Sequence, residues 1–245
     1  MAQKTPRNNK KSPAPPAPQA APPARKRILL VDDHPMMRTG LAQIIDKQPD
    51  MVTCGEAGTA AEALEKVPGL SPDLILSDIT MPGRSGVEFI KDIRSARPDL
   101  PILIVSMHDE TVYAERVLRA GARGYIMKEA GGENLLIAMR QILKGQVYVS
   151  AAISARILDN LSAPRPRGSS SPIEKLSDRE FEIFQLIGEG KGNAEIAKQL
   201  HLSSKTLDVH RSHIKEKLAL KDATALIHAA IRWVEAQNNQ SGSRS

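Results

Sequence analysis

The chain has 245 residues, a formal net charge of +6, and 41% apolar side chains of which few are aromatic, which is enough for one large core or two ordinary ones. No apolar run approaches the ~18 residues of a membrane span, and the basic, Pro-rich N-terminus lacks the apolar stretch of a secretory signal. Cys54 is the only cysteine, so an intrachain disulfide is excluded, and a reducing, cytoplasmic location without membrane attachment is expected.

The excess charge lies at the start. Residues 1–27 hold seven basic, no acidic and seven proline residues. Such a segment buries too little apolar surface to offset chain entropy, so residues 1–26 are predicted to be a disordered tail. Residues 28–150 carry 13 basic and 17 acidic groups, so the high isoelectric point reflects the tail and not the folded part.

From residue 27 short apolar runs alternate with amphipathic stretches. Strands are predicted at 28–31, 51–54, 74–77, 102–105 and 124–127, and helices at 36–48, 59–67, 87–96, 111–120 and 133–143. Five strands alternating with five helices predict a doubly wound, five-stranded parallel α/β sheet over 27–145. A connector helix at 150–161 and a Ser/Pro/Arg linker make up 146–172. A small all-α domain is predicted over 173–236, followed by a disordered tail over 237–245.

In a parallel sheet the C-terminal strand ends share one edge, where such folds place their chemistry. The residues there are Asp32 and Asp33, Asp78, Ser106 and Lys128. Three close carboxylates repel, and Mg²⁺ resolves the conflict with oxygen ligands. The set suits phosphoryl transfer, which needs positioning and charge neutralisation. Asp78 is the candidate phosphoacceptor, Asp33 a direct Mg²⁺ ligand, and Asp32 a ligand directly or through water. Ser106 and Lys128 would contact the phosphoryl oxygens. The new charge would draw Ser106 inward and let Tyr125 move into the vacated space.

In the second domain, Ser177 and Glu180 form a capping-box pattern before Phe181, Phe184 and Ile187. Two further helices, 194–200 and 204–218, are joined by a short turn, as in a helix-turn-helix. At ~100° per residue the longer one buries Leu207, Ile214 and Leu218. Its other faces carry Lys205, Thr206, Asp208, Val209, Arg211, Ser212, Lys215 and Lys217, side chains suited to base edges and phosphates of double-stranded DNA. A last helix, 223–237, aligns Ile227, Ala230, Ile231 and Val234.

The motifs Val31-Asp32-Asp33-His34-Pro35 and Asp78-Ile79-Thr80-Met81-Pro82-Gly83, with Ser106, Tyr125 and Lys128, resemble the response-regulator receiver domain, a flavodoxin-like fold. That resemblance implies a sensor histidine kinase as phosphodonor and Mg²⁺ held by Asp33, Asp78 and the backbone carbonyl of Thr80. One departure is Glu129, where many receivers carry proline. Residues 174–236 resemble the LuxR-type DNA-binding domain through Leu176-Ser177-x-Arg179-Glu180, Gly190-x-x-Asn193-x-Glu195-Ile196-Ala197 and Lys205-Thr206 with His210-Arg211 and Lys217-Leu218. Leu207 stands where valine is usual.

The two resemblances together imply a NarL/FixJ-type two-component response regulator, a transcriptional regulator rather than an enzyme. It is expected to be phosphorylated at Asp78 and to form a homodimer when phosphorylated or on DNA. A Mg²⁺-dependent phosphatase with an aspartyl nucleophile is the alternative; its usual second acid two residues on is replaced by Thr80. A DNA binder with a phosphorylation-independent receiver is the other, and the complete acid, Ser and Lys set speaks against it.

Overall fold

The computed structural model describes residues 24–81, 84–162 and 172–242. Most of the predicted N-terminal tail, the end of the Asp78 loop at Pro82 and Gly83, the linker core and the last three residues lie outside that range.

Five parallel strands, β1 (Lys26–Val31), β2 (Met51–Ala57), β3 (Leu74–Ser77), β4 (Ile102–Ser106) and β5 (Gly124–Met127), form one sheet in the order β2-β1-β3-β4-β5. The cores of β1, β3 and β4 are continuous apolar runs because both faces are covered, whereas the edge strand β2 is only half-buried. Leu29, Val31 and Ile75 point to the side of α2 (Ala60–Leu70), α3 (Gly86–Ala96) and α4 (Glu110–Ala120). Ile28, Leu30, Leu74 and Leu76 point to α1 (Pro35–Asp46) and α5 (Gly131–Leu143). β2 runs three residues past its expected end at Cys54. Ile28 pairs with Thr53 but Leu29 with Gly55, so Cys54 is a bulge residue and pairing continues beyond it.

The order reverses direction about β1, which lies between β2 and β3. That is a topological switch point, and it sets the ends of β1 and β3 side by side. Val31 pairs with Ser77, so Asp32 and Asp78 leave the sheet as neighbours. α3 then starts on a capping box: Ser85 Oγ accepts from the Glu88 amide at 3.2 Å and Glu88 accepts from the Ser85 amide at 3.3 Å. A Cβ at Gly86 would lie 2.6 Å from the Ile79 backbone, so only glycine lets α3 pack this close to the Asp78 loop.

The connector α6 (Ala151–Ser162) packs on α4. The second domain comprises α7 (Asp178–Gly188), α8 (Asn193–Gln199), α9 (Ser204–Lys217) and α10 (Ala223–Gly242), with α10 and α9 packed on α7.

Two predicted tails need correction. Lys26 opens β1, and Arg25 is ordered: its side chain donates to the Met51 carbonyl at 2.6 Å and to the Asp46 and Gln48 carbonyls at 2.9 Å, satisfying groups at the end of α1. At the other end, α10 continues to Gly242, so 237–242 is helix, not tail. Nothing from Ala236 to Ser241 breaks a helix; the first strong breaker is Gly242.

The two domains are docked. The apolar core on the α3 and α4 side of the sheet runs on into that of the helical domain. Tyr113 of α4, Phe181 of α7 and Trp233 of α10 form a chain of edge-to-face rings with centroids 5.5 and 5.4 Å apart. Asp178, buried at the start of α7, accepts from Lys91 Nζ at 2.8 Å and from Arg116 Nε at 2.7 Å. Arg116 also donates to the Leu176 carbonyl at 2.6 Å and lies 4.4 Å over the Phe181 ring. Every residue of α7 from Asp178 to Ile187 is buried: Asp178 meets Lys91 and Arg116 of the receiver-like domain, while Arg179 bonds Glu182 and the Leu200 carbonyl and Glu180 pairs with Lys217 inside the helical domain.

Candidate functional site

Loops after β1, β3, β4 and β5 build one pocket, as the strand ends predict. Asp32 (3% exposed) and Asp78 (6%) are buried, and Lys128 Nζ sits between them, 2.8 Å from Asp32 Oδ2 and 2.8 Å from Asp78 Oδ2. Asp78 Oδ1 accepts from the Ile79 amide at 2.6 Å, and the Thr80 amide lies 3.4 Å away. Burial raises the Asp78 pKa against the opposing attraction of Lys128. Burial also works against the Lys128 charge, but attraction to Asp78 and hydrogen bonds to both carboxylates outweigh it and raise its pKa.

Asp33 lies on the open side of the pocket. Its Oδ1 is 2.8 Å from His34 Nδ1, yet that contact is not aligned as a hydrogen bond, and this buried oxygen has no hydrogen-bond partner. Asp32, Asp33, His34 and Asp78 offer ligand atoms all within 4.8 Å of one another. Three carboxylates against the one ammonium of Lys128 leave a formal excess of two negative charges, which suits a divalent cation. His34 is the N-cap residue of α1, with Pro35 at the first helical position.

Ser106 is fully buried, and its Oγ accepts from the His108 amide at 3.1 Å. Tyr125 is also fully buried, with its hydroxyl donating to the His108 carbonyl at 2.7 Å. Tyr125 is thus already buried while Ser106 still holds the His108 amide.

His108 went unnoticed in the sequence. Its Nε2 is 2.8 Å from Thr80 Oγ1 and its ring is 5.1 Å from that of Tyr113. It thus links the Asp78 loop, the Ser106–Tyr125 pair and the interdomain rings; burial lowers its pKa. The only sequence signal was its place two residues after Ser106.

The pocket is a cavity of about 570 Å³ with a lid from the other domain. Glu195, Lys198 and Gln199 of α8 and His201 of the following turn line it beside Asp33, Asp78 and Lys128. His201 adopts the left-handed conformation (φ 52°) that ends α8, and its Nε2 stands 3.9 Å from Asp33 Oδ2.

The expected groove helix is α9, capped by Ser203, whose Oγ accepts from the Thr206 amide at 3.0 Å. Leu207 and Ile214 are buried beneath it, while Lys205, Thr206, Asp208, Val209 and Ser212 are exposed. Two flanking cations are engaged: Lys217 Nζ lies 2.6 Å from Glu180 Oε2, and Arg211 pairs with Asn193 Oδ1. The docked receiver-like domain leaves the outer face of α9 open to solvent and covers α7 instead.

Comparison with known proteins agrees with both halves. Residues 28–140 match the response regulator receiver domain family, and residues 174–230 match the LuxR family of bacterial regulatory proteins. The oxygen regulatory protein NreC of Staphylococcus aureus is 39% identical over 210 residues, covering 84% of this chain and 97% of that protein. A two-component response regulator of the LuxR family from Aurantimonas sp. SI85-9A1 superposes with a TM-score of 0.53 at 34% identity, over 57% of this chain and all of that one. A structure of two RcsB dimers bound to two parallel DNAs superposes with a TM-score of 0.52 at 26% identity, over 84% of this chain and 97% of that one.

Proposed function

The chain belongs to the two-component response regulators that join a receiver domain to a LuxR-type DNA-binding domain, and we propose that it is switched by phosphorylation of Asp78. One observation carries this reading: Lys128 bridges Asp32 and Asp78 at the switch point of the sheet. A buried carboxylate held by backbone amides and faced by a cation is a prepared nucleophile.

Asp78 Oδ1 is fixed by the Ile79 amide, which leaves Oδ2 as the attacking oxygen. That oxygen attacks the phosphorus of a phosphohistidine on a sensor kinase. The P–N bond breaks, and the electron pair leaves with the imidazole. Lys128 follows the charge from the carboxylate to a phosphoryl oxygen. Asp33, Asp78 and the Thr80 carbonyl would hold Mg²⁺, with Asp32 alongside, and the ion would supply charge neutralisation at the transferring group.

The product carries about −1.5 to −2 charge and strong acceptors. Ser106 turns its hydroxyl to them and releases the His108 amide it now holds. His108 is bonded to Thr80 and Tyr125 and stacked near Tyr113 at the domain boundary, so its loop carries the change to α4 and the docked α7. The freed domains then bind paired DNA half-sites as dimers, each copy reading its half-site with α9, as RcsB dimers are seen on DNA. A cytoplasmic location fits this role.

The test is intact mass after incubation with a small acyl phosphate donor. One phosphoryl group is expected with Mg²⁺, far less with a chelator, and none in Asp78→Asn. An unchanged wild-type mass would overturn the reading.

A further inference from the structure

A second cavity, of about 440 Å³, lies at the domain boundary away from Asp78. Its floor is apolar: Val87 and Val112 from the receiver, Phe181 and Trp233 from the DNA-binding domain. Its rim carries four cations, Lys91, Arg116, Arg119 and Arg156, against two carboxylates, Glu115 and Asp178.

The two carboxylates do not balance that rim. Asp178 takes both Lys91 and Arg116, and Glu115 takes Arg119 at 2.6 Å. Arg156, from the connector helix, donates one N–H to the Thr111 carbonyl at 2.8 Å, a neutral acceptor. Among the described residues the cavity therefore keeps a formal surplus of two positive charges above an aromatic floor. Arg116 is held in place by its stacking on Phe181. Volume, an apolar floor and a place between domains match a small-molecule site, and the charged rim would select an anionic one.

We propose that this cavity binds a small amphipathic anion, an aromatic or branched carboxylate or sulfonate. Its apolar body lies against Trp233 and Phe181, and its acid group is held by Arg119 and Arg156. Receiver, connector and DNA-binding domain all line the cavity, so the ligand binds the docked arrangement and holds it closed. The protein thereby gains a chemical input separate from the phosphoacceptor, and the inference does not depend on phosphorylation of Asp78.

The probe is 1-anilinonaphthalene-8-sulfonate, titrated into the full-length protein. Trp233 is the only tryptophan, so energy transfer from it reports dye bound in its neighbourhood, and the arginine variants assign that dye to this cavity. One saturable site is expected. Arg119→Gln and Arg156→Gln should each weaken binding by roughly tenfold, the loss of one charge-assisted hydrogen bond, with circular dichroism unchanged. The uncharged N-phenyl-1-naphthylamine should bind at least as much more weakly. Absence of saturable transfer, equal binding by the Arg119→Gln/Arg156→Gln double variant, or equal binding of the neutral analogue would overturn the proposal.

Discussion

Lys128 is the residue on which the acidic pocket turns. It compensates Asp32 and Asp78 at the same distance and leaves Asp33 to the open side. Lys128→Ala removes the shared cation of two buried carboxylates, and roughly 3 kcal/mol of stability should go with it. Mg²⁺ should then raise the melting temperature of the variant more than that of the wild type, since the ion replaces the lost charge. Equal Mg²⁺ shifts in the two proteins would contradict this account of the pocket. The acid, hydroxyl and lysine set was legible in the sequence because strand ends and spacing place it. His108 and His201 were not: one matters through partners far away in the chain, and the other reaches the pocket only because two domains dock.

At the scale of elements, the helices and strands followed from periodicity and capping residues. Their existence was legible, and the bulge at Cys54 was not, because a bulge is a property of pairing and leaves no local pattern. α9 divides its work by face. Leu207 is buried, so Leu207→Ala should cost about 2–5 kcal/mol in chemical denaturation. Lys205 is exposed, so Lys205→Ala should leave stability unchanged, weaken DNA binding, and lower the salt slope of binding by about 1. A variant with full affinity and an unchanged slope would remove Lys205 from the interface. Lys217 and Arg211 were expected on DNA as well, but each has an internal partner that DNA must displace.

The whole molecule is a closed pair of domains, and closure was the part least legible in the sequence, since it depends on contacts spanning the linker. Asp178 shows why: a sequence reading sees a first-turn acid, whereas the structure gives it Lys91 and Arg116. Asp178→Ala should separate the domains, seen as a larger radius of gyration in solution scattering and faster phosphorylation of the uncovered Asp78. Closure should also depend on pH. Burial pushes the Glu182 carboxyl up to about 7 from an ordinary 4.5, with Arg179 opposing and Asp178 and Glu88 of α3 adding to the rise. Between those values the docked form holds a proton that the open form has released, so docking weakens as pH climbs from about 4.5 to about 7 and levels off above it. Scattering across that range should show expansion in the wild type and a flat profile in Glu182→Gln. The claim that joins these parts is that phosphate on Asp78 controls DNA binding by α9. Its most direct test is operator affinity of the full chain with and without an acyl phosphate donor and Mg²⁺. Tighter binding after phosphorylation, absent in Asp78→Asn, is the predicted result; the same affinity in both states would contradict the account.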